Sequence, residues 1–284
     1  MVPSPLRNIL KYLRQYFCFR GDIHKNISTQ QSVQINIWLV RNALGTWKTL
    51  MNSAGEEILW QHIVLLYEYQ KTHGLTLANK LTKQHVMFDK NKMKVKLATQ
   101  VLSQSVGNAL LAMSEMKIPG FDSVHGTVEY LHLFDSLFDI MNSRNLSQRF
   151  GKAPVQEKNE ANWKSVFQKA VTYISGLKNV DGRNLLQSNR YAAFLGWLVN
   201  IKTITELYQN IVKSGELNFL LTFKLSQDPL ENFFSSIRMS CGFNNNPTSI
   251  QFKSAFQSLL CNTLNRKVVF SWKNLVEIYR NLRF

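Results

Sequence analysis

The residues best suited to chemistry fall in four places. In SQDPLENFFSSIR (226–238), Asp228, Pro229 and Glu231 stand at the N-cap, N1 and N3 of a helix start. Spacing alone reads this as a capping box, with Asp228 accepting an early backbone N–H and Glu231 reaching back to the cap. A sharper reading notes the apolar turns that follow, Leu230, Phe233, Phe234 and Ile237. A helix that buries itself in this way presents its leading acids to a metal or a nucleotide. In FDKNKMKVKLATQVLSQS (88–105), Lys90, Lys92, Lys94 and Lys96 alternate. On an extended segment they share one side, the convergent charge that phosphate binding needs; the alternative is a solvated basic face. In FDIMNSR (138–144), Asp139 and Asn142 are spaced i, i+3 and face one side. A carboxylate can accept the N1–H and N2–H of guanine, and an asparagine adds complementary bonds. Ordinary polarity at a helix C-terminus, with Asn142 at the cap, also accounts for the pair. His125, Glu129 and His132 fall at i, i+4 and i+7, a spacing that suits zinc. No fourth ligand supports it, so they are read as surface or satisfied side chains. There is no serine or cysteine nucleophile motif and no P-loop.

The elements that must position these residues are helical. Apolar residues recur at three- and four-residue spacing over 59–75, ending at Gly74, and over 95–113. The segment 126–142 carries Tyr130, Leu133, Phe134, Leu137, Phe138 and Met141 on one face. Further helices are expected over 163–177, 191–213, 228–239, 250–264 and 272–282, and Gln34–Trp47 is an apolar stretch running into another. Pro119-Gly120, 178–184 and 241–248 read as turns or loops, and 144–161 as a polar loop. Strand signals are scarce, so the fold class is mainly α.

The chain has 284 residues, room for about two domains. Its hydrophobic fraction of 45% excludes wholesale disorder. Thirty-four Lys and Arg against 18 Asp and Glu leave a net charge of +16, which favours a polyanionic partner. Cys18, Cys241 and Cys261 are odd in number and far apart, arguing against a disulfide framework and for a reducing compartment. No apolar run reaches the roughly 20 residues of a membrane span. Leu6, Ile9, Leu10 and Leu13 form one face of a basic N-terminal segment, read as a surface helix in preference to a presequence.

Several blocks, in this order, resemble the P-element family of DNA transposases, including relatives that carry a THAP zinc finger. They are LVRNALGTW (39–47), GLTLANKLTKQHVMF (74–88), KMKVKLATQVLSQSV (92–106), LFDIMNSR (137–144) and LSQDPLENFFSSIRMSCGFNNNPTSIQFKSAF (225–256). The resemblance implies a helical GTP-binding insertion domain plus the C-terminal portion of a split RNase H-like catalytic domain. In that family carboxylates hold two Mg²⁺ ions for phosphodiester cleavage and strand transfer. The third of these carboxylates matches Glu231. Lys80, Lys94, Val95, Ser103, Phe138, Asp139 and Asn142 fall at nucleotide-contacting positions, and Asp228 near the nucleotide-bound metal. GTP is a structural cofactor there. The implied domains are an unmatched basic segment over 1–33, a remnant of the N-terminal RNase H-like part over 34–50, the GTP-binding insertion over 51–215 and the C-terminal RNase H-like part over 216–284. Implied partners are transposon-end DNA, guanine nucleotide, and a second copy or a full-length transposase; the implied place is the nucleus, with no membrane.

The departures carry their own expectation. Upstream of the Arg41-Asn42 pair the family has an Asp-Pro-x-His-x-x-Lys pattern. Here Ser32 stands where the aspartate belongs, Ile35 replaces the histidine and Trp38 the lysine. The zinc finger and the first catalytic aspartate have no counterpart. The sequence is therefore read as a truncated or degenerate transposase that binds GTP and DNA without cutting DNA alone. The alternative is a non-catalytic transposase-derived regulator.

Overall fold

A computed structural model of the chain describes residues 33–77, 79–148, 150–225 and 228–265, without the side chains of 150, 228–231 and 260–265. The expected helices over 6–13 and 272–282 lie outside the described residues. Two compact units are present, one running from the first described helix to Phe223 and the other holding the described residues from Lys224 onward.

The larger unit is built on helices α1 (Val33–Trp47), α2 (Trp60–His73), α3 (Lys83–Val86), α4 (Val95–Val101), α5 (Gln104–Glu115), α6 (His125–Met141), α7 (Glu160–Gly176) and α8 (Tyr191–Leu207). α8 runs on into a π-helical turn over Tyr208–Val212. A small antiparallel sheet joins them: β1 (Thr49–Met51) is flanked by β2 (Glu57–Leu59) and β3 (Lys178–Asn179). The single long helix expected over 95–113 is two helices. Leu102 and Ser103 leave helical geometry between them, and the Ser103 hydroxyl caps α5 by accepting the Val106 N–H. The lysine run is likewise not extended, since Asp89–Asn91 is a 3₁₀ turn and α4 begins at Val95.

α6 is the central element. Its apolar residues are buried around most of its circumference, with Phe134 against Tyr130 (4.7 Å), Trp197 (5.7 Å) and Phe194 (6.4 Å). At its start, Gly126 and Thr127 allow close approach to β2. A Cβ on Gly126 would meet the Glu57 carbonyl at 2.6 Å, and the Thr127 hydroxyl accepts the Leu59 N–H at 2.9 Å. The Tyr130 hydroxyl donates to the Val40 carbonyl at 3.3 Å, tying α6 to α1. The boundary expected at residue 50 falls inside β1, within this one packed core.

The smaller unit pairs α9 (Asp228–Ser240) with α10 (Ser249–Asn265). Phe233 meets Phe256 edge-on at 5.6 Å, and Phe252 stacks on Phe256 at 6.1 Å.

Candidate functional site

The C-terminal half of α6 gathers the polar residues that chemistry needs. Asp135 and Asp139 lie one turn apart. The Oδ2 atom of Asp135 accepts the backbone N–H of Gln104, the first residue of α5, at 3.2 Å. Ser103, the α5 cap, therefore sits beside the same patch. Burial, aided by the neighbouring Asp139 charge, pushes the Asp135 carboxyl up to about 6. Burial also raises Asp139, opposed by Lys152, whose Nζ lies 3.6 Å from Asp139 Oδ1. Gly151 passes Asp139 closely: a Cβ there would be 3.7 Å from that of Asp139.

The helix end itself is clasped from a distant segment. The Thr222 hydroxyl donates to the Ile140 carbonyl at 2.6 Å and accepts the Ser143 N–H at 3.0 Å. The Phe223 N–H donates to the Ser143 carbonyl at 3.1 Å, and the Arg144 guanidinium lies 4.2 Å over the Phe223 ring. Asn142 caps α6, with its Oδ1 accepting from Arg144 Nε at 3.4 Å. Phe138 is half-buried against the core.

Of the residues expected at the site, Phe138, Asp139 and Asn142 share the C-terminal end of α6, and Ser103 precedes Gln104, whose N–H reaches Asp135 one turn before Asp139. Lys94 is exposed directly before α4, and Val95 is the first, half-buried residue of that helix. They stand at the far end of α4 from Ser103, about 10 Å of helix away. Lys80 is exposed after the buried Asn79, whose Oδ1 accepts the Leu81 N–H. No carboxylate among the described residues forms an ion pair with Lys80 or Lys94. Asp228 and Glu231 fall on the first turns of α9, and their side chains, with the expected capping box, lie outside the described residues. Asp135 and Lys152 are additions that the sequence reading did not single out. The repeated Phe-Asp in FDSLFD (134–139) was the available signal for Asp135.

The face carrying His125, Glu129 and His132 lines a separate pocket of about 460 Å³ with Glu56 and Lys169. Glu129 is paired with Lys169 at 2.8 Å. No group of three or more His, Cys, Asp or Glu among the described residues is placed to hold a metal ion. No helix of the described residues is long and apolar enough to cross a membrane.

Fold and site together define a mainly helical protein with a half-buried carboxylate patch at one helix end, followed by an aromatic-cored helical pair. Residues 36–154 match the family described as "TNP-like, GTP-binding insertion domain", and residues 223–257 match "TNP-like, RNase H C-terminal domain". The chain is 33% identical to DNA transposase THAP9 of Homo sapiens over 78% of its own length and 24% of that protein. It is 25% identical to the Transposable element P transposase of Drosophila melanogaster over 95% of its length and 36% of that protein. The fold is shared with the Drosophila P element transposase strand transfer complex, with a TM-score of 0.63 at 24% identity over 79% of this chain and 49% of that one. The chain carries a TNP-like GTP-binding insertion domain and a TNP-like RNase H C-terminal domain and is homologous to the P-element and THAP9 transposases. It spans about a quarter to a third of the length of these relatives.

Proposed function

We propose that this chain binds guanine nucleotide, with Mg²⁺, on the patch at the end of α6, and binds DNA through its excess positive charge. The observation that carries the reading is Asp139. Its carboxylate is only loosely engaged by Lys152 at 3.6 Å and keeps acceptor capacity, with Asn142 less than a turn away. A carboxylate so placed fits the paired N1–H and N2–H donors of guanine and rejects adenine, which offers only an N6 donor on that edge. Ser103 caps α5 next to Gln104, which bonds Asp135 one turn from Asp139. Lys94 stands a helix length off, a separation of the order of a nucleotide's reach from base to terminal phosphate, and Lys80 adds a second unpaired cation. Phe138 and Val95 supply apolar contact. From the family resemblance, Asp228 and Glu231 are the carboxylates we assign to metal, with Glu231 at the family's third catalytic position. We assign the insertion to the larger unit, which packs α1 and β1 into one core and runs to Phe223, and the RNase H-like part to the unit from Lys224 onward, in place of the expected division into 51–215 and 216–284.

The test is calorimetry with Mg²⁺. GTP should bind more tightly than ATP; Asp139→Ala should abolish the preference, and Lys94→Ala should weaken both triphosphates. Equal affinity of the unaltered chain for GTP and ATP refutes the reading.

A second reading, a non-catalytic regulator that joins full-length transposase or a second copy at DNA ends in the nucleus, is favoured by Ser32, Ile35 and Trp38 in place of the Asp-Pro-x-His-x-x-Lys residues. Two-metal chemistry needs several carboxylates on one metal pair, and Glu231 supplies one. On this reading the chain alone shows no Mn²⁺-dependent cleavage or joining of transposon-end DNA, and cleavage that vanishes in Glu231→Ala would exclude it.

A further inference from the structure

Arg41 is fully buried on α1. Among the described residues no carboxylate pairs with it. Its Nη2 donates instead to two successive backbone carbonyls, Asn91 at 3.2 Å and Lys92 at 3.0 Å. The neighbouring Asn42, also buried, donates its Nδ2 to the same Lys92 carbonyl at 3.0 Å. The guanidinium lies 4.5 Å over the ring of Phe88. One turn along α1, Gly45 makes the space that ring needs, since a Cβ there would collide with it. The segment 88–92 is thus fastened to α1 at its ring and at two peptide groups.

A buried cation without a counter-charge is unfavourable, and well-packed apolar residues stabilise such a position at least as well. Stability therefore does not account for an arginine here. What the side chain adds is one terminal nitrogen, Nη2, held between two consecutive carbonyls; Nε and Nη1 have no hydrogen-bond partner among the described residues. Lys90 and Lys92 project into solvent from the segment so fixed, and Lys94 and Lys96, also exposed, follow it. Lys92 is engaged by Asp89 at 3.2 Å, whereas Lys90, Lys94 and Lys96 have no ion pair among the described residues. Arg41 and Asn42 are buried and make no hydrogen bond or ion pair to the carboxylate patch on α6.

We propose that Arg41 and Asn42 are positioning residues for polyphosphate binding. They hold the backbone of 88–92 so that the lysines beyond it form a preset array, which lowers the ordering cost when a triphosphate chain binds. The inference deepens the nucleotide reading and rests on its assignment of Lys94 to the phosphates.

The test uses the full chain and three probes, inorganic tripolyphosphate, GTP and guanosine, each titrated by calorimetry beside a thermal melt. Arg41→Lys keeps a charge but loses the planar group that lies over Phe88 and places Nη2 between the two carbonyls. Asn42→Ala removes one bond with less disturbance and decides the matter if Arg41→Lys does not fold. Tripolyphosphate and GTP affinity should fall about five- to tenfold in both variants, the scale of one or two lost hydrogen bonds, with guanosine changed less than about twofold. A purely structural role lowers the melting temperature and weakens all three ligands together; that result, or unchanged tripolyphosphate affinity, overturns the proposal. If the unaltered chain binds tripolyphosphate without preferring GTP to ATP, the guanine reading falls and the tripolyphosphate comparison still decides the positioning role. If it binds no polyphosphate, both fall.

Discussion

Asp135 and Asp139 place two carboxylates one turn apart on a half-buried helix face, so each raises the cost of ionising the other. A carboxyl whose folded pKa lies above its unfolded value binds its proton more tightly in the native state. For Asp135, raised from 3.8 to about 6, stability is therefore full below about pH 4 and is lost as pH climbs through 6. Asp139 has the same sign. Burial lowers His62 and His132, which oppose it by favouring the unfolded chain as pH drops below their ordinary value. The whole-protein profile mixes these terms, but the difference between Asp135→Asn and the unaltered chain isolates one. Asparagine keeps an acceptor for the Gln104 N–H while removing the charge. The variant should melt higher at pH 7–8, and the gap should close towards pH 4; a gap that is flat with pH contradicts the assignment. Asp139 and Asn142 were legible in the sequence because an i, i+3 pair on one helix needs only local geometry. The bond from Gln104 to Asp135 was not, because no spacing rule joins residues so far apart. The same holds for Arg41, whose partners are backbone carbonyls and leave no mark on residue type.

At the scale of elements, helix against helix is governed by where side chains are missing. Gly107 on α5 faces α6 so closely that a Cβ would collide with Nε2 of His132. Gly107→Ala should destabilise the protein by about 1–3 kcal/mol through overpacking, although alanine is the better helix former by about 1 kcal/mol. Urea denaturation checks the sign: a net gain in stability would mean that the two helices yield. Periodicity located α2, α6, α7 and α8 well, because a long amphipathic run has one consistent reading. It missed the α4–α5 break, since Val101, Leu102 and Val106 are all buried and keep the apolar pattern running across a cap. It also missed the sheet, whose strands are two or three residues long and too short to alternate. Asn52 and Gly55 mark the hairpin turn: the Asn52 Oδ1 accepts the Ala54 and Glu56 N–H groups, and Gly55 takes φ +83°. The π-helical turn after α8 lay inside a helix expected to reach Lys213. It brings the Tyr208 hydroxyl to Glu160 at 2.7 Å and Lys213 to the same carboxylate at 2.8 Å, contacts with no local signature.

For the whole molecule the dominant quantity is the charge of +16. Counterion release requires the logarithm of DNA affinity to fall roughly linearly with the logarithm of salt concentration. Little sequence preference is expected of this chain alone, because no base-reading module is apparent in it. Fluorescence anisotropy on several duplexes at graded salt measures both, and a salt-insensitive or strongly selective complex would contradict the electrostatic account. Composition made this visible at once, whereas the packing of α1 and the return of residues 220–223 onto the larger unit emerged only in three dimensions. The bridge between Val155 and Leu220 and the Thr222 clasp carry that unit to Phe223.

The clasp bears on how the protein can be dissected. A fragment ended at residue 215, where the family resemblance sets a border, would leave the Ile140 carbonyl and the Ser143 N–H without the hydroxyl that serves both. The damage would fall on the very turn that holds Asn142, so failure of such a fragment to bind GTP would not be a fair test of the nucleotide reading. Any excised version of the helical domain has to keep Thr222 and Phe223 to be a fair reagent.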